Sequence, residues 1–349
     1  MVHSAVVARR VLSLVAAGAL ALAGCVATAP PPAPPLTNDA STPIAIQGVD
    51  LHDGMVAHYG SDYYLYGTQY GCGFVWGADT PWCGFGVSSA PSLNGPWSAP
   101  TPLFDPSPWQ ATCRIYGCFN PRMVRRTFGL ADGAFQLWFN APGDYARADE
   151  NAYYVLSCAG PTGPCGAPHK PVLFICGGAN GDFSVVVTGP SAFLVCTLPT
   201  QTLDEEVLTG YGTDGTDVGQ ASLSADPPVE GAGGYHDLLG AWVLTFSSPN
   251  CGYCSGGVAT GYSTSGSPDG GWVYRGQLSS RSCFGQPRTV DVIDGHPYQQ
   301  IDQWYGSANE TLANTVLAPL DSVSCPPGVS AAAEQPSPGV HPFGNLYTP

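Results

Sequence analysis

Short runs rich in aromatic and β-branched residues recur along the chain: Tyr63-Tyr64-Leu65-Tyr66-Gly67-Thr68, Phe135-Gln136-Leu137-Trp138-Phe139-Asn140, Ala192-Phe193-Leu194-Val195-Cys196, Trp242-Val243-Leu244-Thr245-Phe246-Ser247 and Tyr298-Gln299-Gln300-Ile301-Asp302. Their length and content predict strands. Four follow turn cues, Gly60-Ser61-Asp62, Asp132-Gly133, Leu239-Gly240 and Asp294-Gly295, as hairpin strands require. Three lead into a further strand and a similar ending: SSAPSLNGPW at 88–97, SCAGPTGPC at 157–165 and STSGSPDGGW at 263–272. First residues of successive runs lie roughly 50 to 70 positions apart. A unit of several strands repeated at that spacing predicts propeller blades, each packing on its neighbours, so the expected fold is an all-β, five-bladed β-propeller. A β-sandwich would explain the composition but not the five-fold recurrence.

Composition agrees with short strands and tight turns: Gly 45 residues, Pro 34, aromatics 11% and charged residues only 11%. The first 24 residues carry Arg9, Arg10 and an apolar stretch from Val11 to Ala23, which predicts an export signal too short to span a bilayer permanently. Leu22-Ala23-Gly24-Cys25 resembles the lipobox of bacterial lipoproteins, which implies cleavage before Cys25, lipidation there, and a protein tethered outside the cytoplasmic membrane. A plain secretory signal is the rival reading. Residues 25–43 read as a Pro-rich spacer, 44–325 as the propeller, and 326–349 as a Pro/Gly/Ala-rich tail.

Loss of the first 24 residues removes two arginines and no acids, moving the formal charge from −15 to −17. So acidic a surface repels nucleic acid and anionic lipid headgroups and favours a neutral partner. Twelve cysteines remain beside Cys25, an even number for an oxidising compartment. Cys72/Cys83, Cys113/Cys118, Cys158/Cys165 and Cys251/Cys254 could each staple a loop, although connectivity does not follow from sequence. Cys251-Gly252-Tyr253-Cys254 also has zinc-knuckle or redox spacing, but no matching Cys/His pair follows it.

Several segments resemble glycoside hydrolase family 43, the inverting five-bladed propeller hydrolases, in order and spacing. DGMVAHYGSDYYLYGT at 53–68 is similar to that family's first-blade motif, with Asp53 ten residues ahead of a paired tyrosine. NGPW at 94–97 is similar to its blade-closing turn, and NPRMVRRTFGLADGAFQLWFN at 120–140 to its second blade. VEGAGGYHDLLGAWVLTFSS at 229–248 resembles its acid-bearing third-blade segment, and GQPRTVDVIDGHPYQQIDQW at 285–304 resembles stretches of the exo-β-1,3-galactanase branch. The resemblance implies an inverting hydrolase acting on galactan- or arabinan-type polysaccharide outside the cell, as a monomer.

Inverting cleavage requires a protonated carboxylic acid on one side of the scissile bond and a water-activating carboxylate on the other. In a propeller these come from different blades, so wide sequence separation is expected. Glu230, set among small and apolar neighbours, is the candidate acid because lost hydration raises its pKa. Asp53, beside His52, is the candidate base. The galactanase branch uses a Gln in that role, so Gln286 is a second candidate, although a carboxylate is the better proton acceptor.

The resemblance assigns Asp182 to the third carboxylate, which orients the acid and keeps it protonated. Asn120, Trp138, Tyr145, Trp304 and His52 are candidate sugar contacts, with Trp242 a further possible stacking residue. Phe119 stands where the galactanase branch has an acidic residue, which points to a changed substrate. No cofactor is demanded; an axial calcium of the kind some members hold is open, with His296 the nearest candidate ligand. Rival classes are a non-catalytic carbohydrate-binding propeller and a disulfide-stapled scaffold protein.

Overall fold

Each of the five apolar runs forms the second strand of a four-stranded antiparallel sheet. The computed structural model describes residues 42–327 apart from 128, 130–131, 144–150, 224–227, 238–239, 251–252, 254, 307–308 and 322. Strand β1 (Ile44–Ile46) precedes blade one, which holds β2 (His52–Tyr59), β3 (Asp62–Thr68), β4 (Phe85–Ala90) and β5 (Thr101–Pro102). Blade two holds β6 (Phe119–Arg125), β7 (Phe135–Asn140), β8 (Tyr153–Cys158) and β9 (Cys165–His169). Blade three holds β10 (Phe183–Thr188), β11 (Ser191–Thr197), β12 (Leu203–Leu208) and β13 (Gly215–Leu223). Blade four holds β14 (Glu230–His236), β15 (Trp242–Ser248), β16 (Ala259–Ser265) and β17 (Val273–Ser279).

Blade five holds β18 (Gln286–Ile293), β19 (His296–Gln303) and β20 (Asn314–Pro319), and β1 pairs with β20 as its outer strand. The N-terminal strand thus closes the ring. The first strand of every blade touches those of its two neighbours, β2 to β6, β6 to β10, β10 to β14, β14 to β18 and β18 back to β2. These five strands line the axis of a five-bladed propeller.

The second strands stand out in the sequence because both of their faces are buried between blades. Successive side chains of a strand point to opposite faces. In β7, Leu137 and Phe139 enter the core shared with blade one, while Trp138 enters the core shared with blade three. In β11, Leu194 and Cys196 face blade two while Phe193 and Val195 face blade four. A strand buried on both sides loses its polar alternation and reads as a continuous apolar run.

Five disulfides join described cysteines: Cys72–Cys83, Cys113–Cys118, Cys158–Cys165, Cys176–Cys196 and Cys283–Cys325. The first three follow the close spacings. The last two have separations of 20 and 42 residues, and only the folded chain brings them together. Cys251 and Cys254 lie outside the described residues. This many disulfides mark a protein of an oxidising, extracytoplasmic compartment.

Candidate active site

The candidate residues gather where the five axial strands begin. Asp53 opens β2, Asn120 opens β6, Asp182 directly precedes β10, Glu230 opens β14 and Gln286 opens β18. Four of these strands carry a register shift within the first few residues: His52/Met55, Phe119/Arg122, Glu230/Gly233 and Pro287/Val290. A bulge re-aims side chains and bends the strand, here toward the axis. Asp53 and Asn120 accordingly take left-handed backbones at φ +56° and +58°. Gly54 completes the first bulge for a steric reason: a Cβ there would stand 1.9 Å from the Tyr66 carbonyl oxygen.

A polar residue at the end of the second strand supports its own blade's site residue. Thr68 donates to Asp53 Oδ1 at 2.8 Å, Asn140 accepts from Asn120 at 2.9 Å, Thr197 donates to the Asp182 carbonyl at 2.6 Å and Ser247 donates to the Glu230 carbonyl at 2.6 Å. In blade five Asp302 fills this place and serves blade one as well, accepting the Asp53 amide at 3.0 Å.

Asp53, Phe119, Asp182, Glu230, Tyr253, Gln286, Arg288 and Trp304 line one pocket of about 310 Å³, counting space open to solvent. Its floor is organised by Arg288. One guanidinium nitrogen donates to Asp182 Oδ2 at 2.5 Å, a second donates to Asn120 Oδ1, and Nε faces Asp302 at 3.6 Å. Burial works against that charge, but Asp182 and Asp302, with Asp53 and Glu230, outweigh it and hold the guanidinium above its ordinary pKa. Asn120 also donates to Asp182 Oδ1 at 2.7 Å, so Asp182 is fixed through both oxygens.

Glu230 has no such cation of its own. Gln286 Nε2 reaches its Oε2 at 3.4 Å, and Trp304 Nε1 holds the Gln286 carbonyl at 2.8 Å. Burial, then the negative charge of Asp182, push Glu230 well above the usual carboxylate range, with Arg288 pulling the other way. Asp53 is pushed up to about 8, again mainly by burial; Asp302 adds to the rise while Arg288 and the Thr68 bond oppose it.

Other expected contacts are placed differently. Trp138 is fully buried in the core between blades two and three, against Phe183 at 6.5 Å, away from the pocket. Its interior position in a two-sided strand commits it to packing. His52 does not line the pocket; it is wedged behind it, between Tyr70 at 5.6 Å and Trp304 at 6.1 Å, with Nε2 facing Asp50 at 3.3 Å. Asn120 is fully buried and braces Asp182 from beneath.

Trp304 lines the pocket through its ring, with its N–H already used on Gln286. Trp242 is buried in the core between blades three and four, with its ring 5.8 Å from Phe193. Tyr145 lies outside the described residues. The acid-bearing segment belongs to the fourth blade in chain order, not the third. His296 starts β19 at the end remote from Asp302, in the turn beside Asp294, and so sits away from the pocket. Among the described residues no cluster of three or more His, Cys, Asp or Glu has metal-holding geometry.

Arg288, Asp302 and Tyr253 are the site residues that sequence reasoning missed. A signal for Arg288 existed, since the whole chain has only 11 Lys and Arg and this one interrupts a strand two residues beyond Gln286. Tyr253 was in view inside the Cys251–Cys254 motif, where metal and redox readings drew attention to the cysteines.

The chain is similar in structure to the exo-β-1,3-galactanase of Phanerochaete chrysosporium bound to β-1,3-galactotriose, with a TM-score of 0.61 and 16% identity over 80% of this chain and 64% of that one. It is similar to a β-1,3-galactosidase of glycoside hydrolase family 43, at 0.61 and 15% over 80% and 60%. It is also similar to an endo-1,4-β-xylanase from Bacteroides thetaiotaomicron, at 0.56 and 17% over 78% and 91%. The chain therefore spans less than two thirds of the length of the first two. No family profile and no curated protein sequence matches it. At these identities the likeness establishes the propeller, and one propeller serves galactan and xylan chemistry alike.

Proposed function

We propose that this protein is an inverting glycoside hydrolase of the family 43 type, acting outside the cell on galactan- or arabinan-type polysaccharide. The observation that carries the reading is the contrast among three carboxyls around one axial pocket. Asp182 is ion-paired to Arg288, whereas Glu230 is buried, faces that negative charge and, among the described residues, is hydrogen-bonded by the neutral amide of Gln286. Glu230 is thereby kept protonated, as a donor to the departing oxygen must be. Asp53 lines the same pocket from blade one and is the water-activating group in this reading. Gln286 bonds Glu230 and Trp304, which suits an aligning role better than that of base. Lipidation at Cys25 completes the proposal, placing the enzyme on a membrane surface where soluble oligosaccharides reach it.

A second reading has a specific observation behind it. With Asp53 pushed up to about 8, the candidate base is itself mostly protonated in neutral solution, which suits a sugar-binding propeller without turnover. Proton NMR of freshly released sugar decides between them. The hydrolase gives the anomer opposite to that of the substrate from β-1,3-galactan or arabinan oligosaccharides, and Glu230→Gln gives none. Oligosaccharide binding with no product from the wild type at pH 6 to 9 would establish the binding propeller.

A further inference from the structure

Of the eight described residues around the pocket, Tyr253 alone comes from a loop away from the axial strands and their blade-five partner Trp304. It is carried between β15 and β16 of blade four, at φ +51°. Its ring meets the edge of Trp304 at 5.0 Å and lies 6.4 Å from Phe119. Its hydroxyl is 3.0 Å from the hydroxyl of Tyr70.

Tyr70 belongs to the loop after β3 in blade one and is firmly held. Its amide donates to both oxygens of Asp50 at 3.0 and 3.1 Å, its carbonyl accepts from Asn309 at 2.9 Å, and its ring packs on Phe74 at 5.6 Å. Blades four and one are not neighbours, since blade five lies between them. The pair of phenols therefore bridges over the inner end of blade five, where Gln286 and Trp304 sit. Burial pushes both phenols well above their ordinary range, so each stays neutral and one hydroxyl can donate to the other.

We infer that Tyr253, tied to Tyr70, sets the size of the sugar ring the pocket accepts and excludes a glycon that carries a substituent on that side. The inference rests on the glycosidase reading. The eight lining side chains surround about 310 Å³ of space, part of it open solvent. Phe119, Tyr253 and Trp304 form a continuous aromatic wall, and polar groups occupy the floor. A terminal, unsubstituted sugar can lay its C–H face on that wall and its hydroxyls toward Asp182 and Asp53. An added methyl or glycosyl group meets the bridge instead.

The test compares 4-nitrophenyl β-galactopyranoside with its 4-O-methyl and 6-O-methyl derivatives in wild type, Tyr253→Ala, Tyr253→Phe, Tyr70→Phe and the Tyr70→Phe/Tyr253→Phe double variant, with melting temperature confirming the fold. The wild type should prefer the parent over at least one methylated derivative by about 100-fold, within the range that one misplaced group costs. Tyr253→Ala should shrink that preference at least tenfold and raise KM for the parent more than it lowers kcat. The two Phe variants should loosen the preference equally, and the double variant no further, since all three lose the same bond. Wild-type discrimination in Tyr253→Ala, or additive effects of the two Phe changes, would overturn the inference. If the wild type cleaves none of the glycosides, the hydrolase reading fails on its own. The bridge is then judged by calorimetric binding of galactose and its methyl ethers to wild type and Tyr253→Ala, where equal selectivity rejects it.

Discussion

The main-chain amide of Asp53 donates to the Asp302 carboxylate at 3.0 Å across 249 residues of chain. This bond pins the left-handed backbone of Asp53 from the neighbouring blade, and it sets a second negative charge close to the candidate base. Asp302 also faces Arg288 at 3.6 Å, so one carboxylate shapes both the geometry and the charge of the pocket. Asp302→Asn keeps an oxygen for the amide but removes the charge that helps raise Asp53. The ascending limb of the kcat/KM profile should move to lower pH. Asp302→Leu removes the anchor as well and should cost about 10- to 100-fold in kcat/KM, of the order seen when a supporting shell is lost. A profile unchanged in Asp302→Asn would separate the two residues functionally.

Glu230→Gln should affect substrates according to their leaving groups. A proton donor contributes about 10²- to 10⁴-fold when the departing oxygen is basic. Turnover of a galactan or arabinan oligosaccharide should therefore fall by about 10³-fold, and turnover of a 2,4-dinitrophenyl glycoside by less than about 10-fold, because that leaving group departs unprotonated. Equal losses on both substrates, measured as kcat/KM, would assign Glu230 to binding.

The base must be ionised and the acid protonated. With Asp53 at about 8, the ascending limb of kcat/KM should lie near that pH, and loss of the Glu230 proton should set the descending limb. Stability should run the other way. Asp53 and Glu205 are pushed up to about 8 and Asp291 to about 7, burial being the main cause in each. A carboxyl raised on folding binds more protons in the native state. Its stabilising effect is complete below the unfolded value near 3.8 to 4.5, declines as pH rises, and is gone above 7 to 8. Melting temperature followed from pH 5 to 9 should fall, by roughly 2 to 4 °C for each kcal/mol lost. A melting temperature that rises over this interval would contradict the protonated state of these groups.

Trp138→Ala should destabilise the fold by about 3–5 kcal/mol, the cost of a cavity left by a large buried aromatic. At a temperature where the variant remains folded, KM should match the wild type, because the indole lies between blades two and three. Denaturant unfolding and steady-state kinetics together check this. A raised KM with unchanged stability would return Trp138 to the sugar site.

The apolar runs announced the propeller because β3, β7, β11, β15 and β19 are buried on both faces, and a doubly buried strand writes its environment directly into its residues. The axial strands were harder to read. They mix polar and apolar residues, four of them carry a register shift near their start, and in blade four the strand is rich in glycine. Glu230, Asp53, Asp182 and Gln286 were nevertheless named through the resemblance to family 43 motifs, and the structure brings all four to one pocket. Trp138 was mistaken for a sugar contact because an aromatic in a strand looks the same whether it faces a neighbouring blade or a ligand.

What the sequence determined by itself was local: strand length, turn positions, the close cysteine spacings that short-range disulfides can use and the kinds of side chain available to the site. Those follow from periodicity and from groups close together in the chain. Tertiary structure alone decided the closure of blade five by β1, the Cys283–Cys325 link, the support of Asp53 by Asp302, the hold of Arg288 on Asp182 and the bridge from Tyr253 to Tyr70. Each joins residues far apart in sequence, and the burial and mutual charge that raise the pKa of Asp53 and Glu230 come into being only when the ring of blades closes.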